Sequence, residues 1–390
     1  MTGAAGLDRA ELAARLALLA GPSAVRRRAA ELVLDGGSAL EALKRVRDTC
    51  GDDAADALHS EPVRERVRRS LAAIAREGIE VIAFEDPRLP ELACHRLAND
   101  RPILLFALGD TALLSATSVA IVGSRRATEY GLDMAEEIGA AVAEAGGCVV
   151  SGVALGIDAA AQRAALDAGG ATIGVLGCGV DVLYPRENAA LQARIAEEGL
   201  LLSEQLPGEP PLRHNFPRRN RIISALSSAV VLVEAGAKSG AISTADHAVR
   251  QSVDVFCVPN LYHEPNFAGC LALLRDGGRP FVGVHDVLLQ AGLARLGGAE
   301  VDDRAPKDEM PPPADPLQAS LWETLAAGPR QADRLAGLVG AGPKETLVAL
   351  LELELDGRVE QRAGQQYSRV KPRRRRAARD RRSNVSEAGT

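Results

Sequence analysis

Residues 148–177 read CVVSGVALGIDAAAQRAALDAGGATIGVLG, and their pattern decides the fold. An apolar run, CVVS, is followed by a glycine-rich turn, an alanine-rich stretch of helical period and a second apolar run, TIGVL. A strand, a crossover helix and a second strand of this total length form a βαβ unit, in which the two strands are parallel. We therefore expect a parallel sheet at the centre of the chain.

The same alternation of apolar runs and helical stretches extends from Ser118 to about Gln290. The apolar runs are SVAIVG, CVVSG, ATIGVLG, LLLSE, AVVLVEA, VDVFCVP and PFVGV. Continuous Val, Ile and Leu indicate strands that are buried on both faces, so the predicted fold class is α/β with a doubly wound, mostly parallel sheet. Because ligands of such sheets bind beyond the carboxyl ends of the strands, we expect function in the loops that follow them.

Changes in composition predict the other domains. Residues 1–76 are rich in Ala, Leu, Arg and Glu and predict a small helical module, while the domain over 77–296 opens with two further strands, GIEVIAF and PILLFAL. The Pro-rich, charged segment 297–316 is typical of a linker. Residues 317–370 contain three helical segments and two short strands, the outline of a winged helix. The basic tail 371–390 is predicted to be disordered.

The net charge of −6 conceals an asymmetry. Residues 371–382 hold eight Lys or Arg against one Asp, which is +7 and leaves −13 for the rest. Only a local cationic patch could therefore attract a polyanion to the rest of the chain. The six Cys have no metal-ligand spacing, and neither a signal peptide nor an apolar span of membrane length is present. These observations predict a reduced, cytoplasmic protein with no metal site, no cofactor and no membrane contact.

Four of the loops that follow strands are rich in glycine and in hydrogen-bond donors. Glycine lets a ligand approach the backbone, and N–H groups at the start of the next helix favour an anion, although each glycine alone could serve only a tight turn. Neither G-x-G-x-x-G nor G-x-x-x-x-G-K-[ST] is present, which disfavours a dinucleotide or a P-loop triphosphate. The loops contain Gly123-Ser124-Arg125-Arg126, Ser151-Gly152 to Gly156, Gly177-Cys178-Gly179 and Lys238-Ser239-Gly240.

About half of the chain resembles the DNA processing protein A (DprA/Smf) family. The resemblance is carried, in order, by VAIVGSRRATEYG, VVSGVALGIDAAAQRAAL, TIGVLGCGVDVLYPRENAAL and HNFPRRNRIISALSSAVVLVEAGAKSGAISTADHAVRQSVDVFCVP. It implies an extended Rossmann-like domain between an N-terminal module of the SAM or helix-hairpin-helix kind and a winged helix. It also implies a homodimer that binds single-stranded DNA without sequence preference, and duplex DNA more weakly, and that loads the RecA recombinase in natural transformation. No catalytic activity is implied.

Matched motif by motif, the resemblance assigns DNA-phosphate contacts to these loops and to HNFPRRNRIIS, residues 214–224. The guanidinium of Arg125 would clamp a phosphate bidentately, and Asn220 and Arg221 would face DNA while the isoleucines behind them anchor the segment. The predicted DNA ligands are Gly123, Ser124, Arg125, Arg126, Ser151, Gly152, Arg186, Phe216, Arg219, Asn220, Arg221, Lys238, Ser239 and Gly240. Leu271 and Leu274 stand in the place of the family's dimerisation element and are the predicted dimer contacts.

Structural roles remain open for several of these residues. Arg219 and Arg221 could instead pair with Glu204 and Glu234 at strand ends. Phe216 could stack on a base or staple its loop to the core. For Asp158 we favour a structural role, as a carboxylate that interacts with the dipole of the helix it begins.

Two other functions also remain open. One is a nucleotide phosphoribohydrolase that uses Glu204 or Glu234 as its catalytic carboxylate, which is disfavoured because the Pro-Gly-Gly-x-Gly-Thr signature is missing. The other is a duplex-DNA regulator that acts through the winged helix. Its third helix, PKETLVALLELELDG, is acidic, whereas a helix that reads the major groove should be basic.

Overall fold

The computed structural model divides the chain into two compact units, residues 1–300 and 301–390. The predicted tail 371–390 and residues 297–310 of the predicted linker lie outside the residues that the structure describes. Those described are 7–22, 25, 31, 33, 37–98, 100–294, 311–327, 330–362 and 366–370. No helix within these ranges is both long and apolar enough to cross a membrane.

The centre of the first unit is a nine-stranded sheet. Its strands are β1 (Glu80–Ala83), β2 (Leu104–Gly109), β3 (Ser118–Val122), β4 (Cys148–Ser151), β5 (Ala171–Leu176), β6 (Leu200–Ser203), β7 (Ala229–Leu232), β8 (Asp254–Cys257) and β9 (Arg279–Pro280). The strand order is β1-β2-β6-β5-β4-β3-β7-β8-β9. Strands β3 to β9 are parallel, whereas β1 and β2 are antiparallel to each other and β2 to β6. The predicted fold class is confirmed.

Helices cover both faces of this sheet. They are α1 (Arg9–Ala20), α2 (Ala39–Cys50), α3 (Asp52–Leu58), α4 (Glu61–Glu77), α5 (Glu91–Arg96), α6 (Glu129–Glu144), α7 (Ile157–Asp167), α8 (Ala189–Glu198), α9 (Asn215–Leu226), α10 (Gly240–Arg250), α11 (Ala268–Arg275) and α12 (Val284–Ala291). Val119 and Ile121 of β3 enter one hydrophobic core, and Ala120 and Val122 enter the core on the opposite face. Because alternate side chains of a strand point to opposite faces, both faces must be apolar, which is why the strands read as continuous apolar runs.

The N-terminal helices share a core with the edge of the sheet. Leu16 and Leu18 of α1 belong to the same buried cluster as Phe106 of β2 and Leu176 of β5. Helix α4 ends at Gly78, whose φ of 67° is the left-handed conformation that glycine adopts readily at the end of a helix. The helical region is therefore packed directly against the α/β domain.

The sheet has one topological switch point. From β3 the chain moves outward in one direction through β4, β5 and β6, and then returns to β7 on the other side of β3. The loops after β3 and β7 therefore leave the sheet in opposite directions and open a crevice between them. This crevice lies on the edge of the sheet where the sequence predicts function.

The second unit is a winged helix, as predicted. It contains α13 (Pro316–Thr324), α14 (Ala332–Val339) and α15 (Pro343–Leu355), with β10 (Arg330–Gln331), β11 (Val359–Arg362) and β12 (Gln366–Arg369) in the order β10-β12-β11. Leu321, Leu335, Leu350 and Leu353 are buried in its core. Helix α15 leaves Leu347, Leu351 and Leu355 exposed beside its carboxylates, so its outer face is apolar and acidic.

Candidate nucleic-acid interface

Exposed cations lie in the loops at the carboxyl edge of the sheet. Arg125 and Arg126 follow β3, Arg186 lies in the connection after β5, Arg213 follows β6 and Lys238 follows β7. None of their side chains forms an ion pair with another residue in the described ranges. In the part of the chain that the structure describes, their charge is therefore not neutralised by an ion pair and can attract a polyanion, although the protein as a whole is acidic.

Phe216 provides an aromatic surface among these cations. Its ring lies over Gly177, where a Cβ would be only 2.8 Å from a ring carbon, so only glycine allows this approach. The ring centroid is 5.4 Å from that of Tyr184 and 5.5 Å from the guanidinium carbon of Arg125. The ring is half-buried, so it is anchored to the loop after β5 and still presents apolar surface at the edge. The two roles left open for Phe216 are thus compatible.

The sequence predicts that Arg219 contacts DNA at this edge, but the structure buries its side chain. Only 5% of the residue is exposed, and its Nη1 donates to the carbonyl oxygen of Gly152 at 2.8 Å and to that of Val175. Burial lowers the pKa of Arg219 to about 10, while the carboxylate of Asp158 acts in the opposite direction. The side chain joins the ends of β4 and β5, which makes Arg219 a support of the edge.

The prediction that Asn220 and Arg221 face DNA is wrong. Arg221 is 2% exposed, and its Nη2 lies 2.9 Å from Oε1 of Glu204, while its Nε lies 2.9 Å from Oδ2 of Asp100. Burial opposes the charge, but the two carboxylates together raise the pKa of Arg221. Asn220 is 8% exposed and donates from Nδ2 to the carbonyl oxygen of Gly240 at 3.2 Å. For Arg221, the alternative prediction that it pairs with Glu204 is therefore correct.

Ser151 and Gly152 are also internal, contrary to the prediction of phosphate contacts. Ser151 is fully buried and its hydroxyl donates to the carbonyl oxygen of Ile121 at 2.7 Å. The N–H of Gly152 donates to Oδ2 of Asp158 at 3.0 Å, so the chain's own carboxylate occupies this donor. Burial raises the pKa of Asp158, against the effects of Arg219 and of the backbone donors. Asp158 has the structural role that we favoured.

The remaining predicted ligands lie at the crevice. Gly123 and Ser124 are half-buried, and the Ser124 hydroxyl oxygen accepts from the backbone N–H of Arg126 at 3.1 Å, which fixes the turn that carries the two arginines. Ser239 is the N-cap of α10, and its Oγ accepts from the N–H of Ala241 at 3.3 Å. Gly240 is exposed as the first residue of that helix. These loops place backbone groups and cationic side chains at the same edge of the sheet.

The carboxylate of Glu234 lies at the N-terminus of α6. Glu234, at the end of β7, is 1% exposed and accepts from the backbone N–H of Thr128 at 3.0 Å and from its hydroxyl group. Asn266 donates to the same carboxylate at 3.5 Å and to the carbonyl oxygen of Arg126 at 2.9 Å. Glu234 therefore ties the loops on the two sides of the switch point together.

Two residues of this edge were not among the sequence-predicted ligands. Arg213 is exposed and lies one residue before the predicted segment, where a count of local positive charge could have included it. Tyr184 lies in one of the motifs that carry the family resemblance, and its contact with Phe216 depends on tertiary packing, which a local motif does not reveal. In the described ranges no cluster of His, Cys, Asp and Glu could hold a metal ion.

The two predicted dimer contacts differ in exposure. Leu271 is 43% exposed on α11, whereas Leu274 is partly buried against the core beneath that helix. Leu271 is thus available at the surface, and much of Leu274 already serves the core.

Comparison with known proteins agrees with this architecture. Residues 80–292 match the family described as DNA recombination-mediator protein A, and residues 305–365 match the DprA winged helix domain. Protein Smf of Escherichia coli is 36% identical over 74% of this chain and 76% of its own length. The crystal structure of DNA processing protein A from Streptococcus pneumoniae is 34% identical over 63% of this chain and 90% of that chain, with a TM-score of 0.53.

A further structure is that of DNA processing protein A from Helicobacter pylori, described for its single-stranded DNA binding mode. It is 34% identical over 49% of this chain and 87% of that chain, with a TM-score of 0.46.

The fold and the site define a class of Rossmann-like proteins that carry a winged helix and a cationic edge on the sheet. Within that class, the chain belongs to the DNA recombination-mediator protein A (DprA/Smf) family. Its role is in DNA processing.

Proposed function

We propose that this chain binds single-stranded DNA, without sequence preference, along the carboxyl edge of its sheet. As a nonenzymatic mediator, it then loads RecA recombinase onto the bound strand during transformation or recombination. The observation that carries this proposal is the set of exposed cations in the loops at the carboxyl edge, where the guanidinium carbon of Arg125 lies 5.5 Å from the centroid of the Phe216 ring. These cations are Arg125, Arg126, Arg186, Arg213 and Lys238, and none of them forms an ion pair within the described ranges. Cations that track phosphates and an aromatic ring that stacks on a base are what single-strand recognition requires.

The same features favour a single strand over a duplex. The bases of a duplex are stacked on each other, so the Phe216 ring can reach a base only in an unpaired strand. The winged helix offers duplex DNA little attraction, since Glu345, Glu352 and Asp356 flank the exposed leucines of α15 and only Lys344 is basic there. We expect duplex DNA to bind more weakly.

The carboxylates on which a hydrolase would depend are engaged inside the protein. Glu204 accepts from Arg218 at 3.1 Å and from Arg221 at 2.9 Å. Glu234 accepts from Thr128 and is 1% exposed. A general base must reach the proton that it abstracts, and both carboxylates are almost fully buried. This supports a binding function rather than a hydrolytic one.

A fluorescence anisotropy titration tests the proposal. Labelled oligo(dT) and a duplex of equal length are titrated with the protein over a range of salt concentrations. We expect tighter binding to oligo(dT), with log Kd rising by about 0.7 per phosphate contact for each tenfold increase in salt. The double variant Arg125→Ala, Arg186→Ala should bind at least tenfold more weakly and with a smaller salt slope. Equal affinity of variant and wild type would show that the site is misassigned.

The matched control is Arg163→Ala. Arg163 is also exposed but lies in the second half of α7, where its Nε donates to the carbonyl oxygen of Ala159 at 3.2 Å. Its removal should leave oligo(dT) binding unchanged. RecA loading and dimer formation are tested on the same sample, by the lag before RecA hydrolyses ATP on oligo(dT) and by light scattering. Leu271→Lys should lower the dimer mass if α11 forms the interface.

A further inference from the structure

A cavity of about 410 Å³ lies between α4 and the loop that follows β6, within the first unit. We infer that this cavity is a second contact site for the DNA strand, so that the N-terminal helical region takes part in binding. The inference rests on the proposed function, because it extends the path of the same strand. Arg66, Arg69 and Arg76 line the cavity on one face of α4, as their spacing of three and seven residues allows.

The three arginines are not equivalent. Arg66 holds the wall of the cavity together, since its Nη2 is 2.6 Å from Oε2 of Glu209 and its Nη1 donates to the carbonyl oxygen of Ala20. Within the described ranges, Arg76 forms an ion pair with its neighbour Glu77 and with no other residue, and its side chain is 69% exposed. Arg69 is exposed and forms no ion pair with any residue in the described ranges. Arg69 and Arg76 can therefore turn to a phosphate without breaking the fold.

Apolar surface lies beneath these cations. Leu206, Pro207 and Pro210 line the cavity from the loop side, and Ala73 lines it from α4. A pocket of this volume falls in the range of small-ligand sites. Apolar walls below a cationic rim match a nucleotide, whose base needs apolar contact and whose phosphate needs charge.

Hydrogen bonds connect the loop that lines the cavity to the loop that supports Phe216. The N–H of Gly208 donates to Oδ1 of Asp181 at 2.8 Å, and the N–H of Gly179 donates to the carbonyl oxygen of Glu209 at 3.0 Å. These bonds join the loop after β6 to the loop after β5, which begins with the Gly177 that supports Phe216. A strand that leaves Phe216 toward the β6 side of the edge therefore meets the arginines of α4.

Binding of an oligo(dT) length series tests the inference. Lengths from about 6 to about 30 nucleotides are compared, because a short strand occupies the edge alone and a longer one can also reach the cavity. For the variant Arg69→Ala, Arg76→Ala we expect unchanged affinity for the shortest oligonucleotides that bind. For the longest we expect roughly tenfold weaker binding and a salt slope smaller by about 1.4, which corresponds to two lost phosphate contacts.

The matched control is Arg64→Ala, Arg68→Ala, which removes two exposed arginines of the same helix that do not line the cavity. It should behave as the wild type at every length. If the Arg69, Arg76 variant also keeps the full gain in affinity with length, the cavity is not part of the path. Arg125→Ala, by contrast, should weaken binding at all lengths, and failure of the wild type to bind any length would contradict the proposed function itself.

A free nucleotide offers the same chemistry as one unit of a strand, so dTMP is titrated separately. The strand assignment predicts no measurable dTMP binding that depends on Arg69. Binding of dTMP that is lost in the Arg69, Arg76 variant, together with an unchanged length dependence, would overturn the inference and define a mononucleotide site.

Discussion

Arg221 and Glu204 form an ion pair inside the first unit, with Nη2 and Oε1 2.9 Å apart and the two side chains only 2% and 4% exposed. The pair joins α9 to the residue that follows β6, and Asp100 approaches the same guanidinium from a third segment. An arginine that reads as part of a surface charge cluster is thus a central element of the fold.

Replacing Arg221 should therefore destabilise the protein. Removing Arg221 takes away one partner of the buried Glu204 carboxylate, which Arg218 also contacts at 3.1 Å, so Arg221→Ala should lower the free energy of unfolding by up to about 3–5 kcal/mol. Urea denaturation measures this change. The double variant with Glu204→Ala should recover part of the loss, because no buried carboxylate is then left behind. A change below about 0.5 kcal/mol, as expected for Arg163→Ala, would contradict the structural role.

Two glycine substitutions should show whether the Arg219 side chain packs against residue 152. A Cβ on Gly152 would lie 2.0 Å from Nη2 of Arg219, whereas a Cβ on Gly240 would meet no atom within 4 Å. Gly152→Ala must displace a buried guanidinium and should cost about 1–3 kcal/mol, while Gly240→Ala should be neutral or slightly stabilising. Thermal unfolding of the two variants provides the measurement. Equal effects would mean that Arg219 does not pack on residue 152.

Asp158 should make stability depend on pH. Burial raises its pKa above the ordinary value of 3.8, so its contribution to stability is fully present below that value and is lost as pH rises through the higher folded pKa. Asp158→Asn keeps an oxygen acceptor for the N–H of Gly152 but has no charge to bury. The stability of the wild type relative to this variant should therefore fall as the pH rises above the ordinary pKa of 3.8. A stability difference in urea denaturation that does not change as the pH is raised from this value would argue against the shift.

Phe216 should contribute to DNA affinity through its ring. Phe216→Leu keeps apolar contact with Gly177 but removes the stacking surface, so oligo(dT) binding should weaken by about 1–3 kcal/mol. Phe216→Tyr should bind as the wild type does. Anisotropy measures both variants, and thermal unfolding verifies that they are folded. If the leucine variant keeps full affinity, the ring serves only to hold its loop.

The winged helix should contribute little to duplex binding. Lys344 is the only basic residue of α15, so Lys344→Ala should leave duplex affinity and its salt slope unchanged. A helix that reads the major groove through this residue would instead lose about one unit of salt slope. That result, measured by anisotropy on duplex DNA, would favour the alternative function of a duplex-DNA regulator. The acidic character of α15 argues against this alternative.

The pattern of apolar runs was sufficient to predict the parallel sheet, because a strand buried on both faces needs a continuous run such as AVVL in β7. The position of the proposed binding edge follows from the same pattern, since the carboxyl ends of parallel strands lie on one side of the sheet. The exposed Arg125 and Lys238 lie there as predicted from their positions after β3 and β7. In these cases the local sequence was enough to predict the sheet and the position of the exposed cations.

The orientation of the arginines in α9 could not be predicted in the same way. The partners of Arg221 lie 17 and 121 residues away along the chain, and a charge cluster gives no sign of them. The cavity beside Arg69 likewise exists only because α4 packs on the loop after β6. Contacts between residues that are far apart in the sequence decide which arginines are buried as structural residues and which remain exposed to a ligand.

The carboxylate of Glu234 at the start of α6 has a consequence for the choice of ligand. In open parallel sheets, the helix N-terminus at the switch point is where a cofactor's phosphate ordinarily binds. Here Glu234 already accepts from the N–H and the hydroxyl of Thr128, so the protein carries its own anion in that position. At this helix N-terminus Glu234 would repel the phosphate of a small nucleotide, whereas a DNA strand gains affinity from many weaker contacts around it, which agrees with the proposed preference for a polymer.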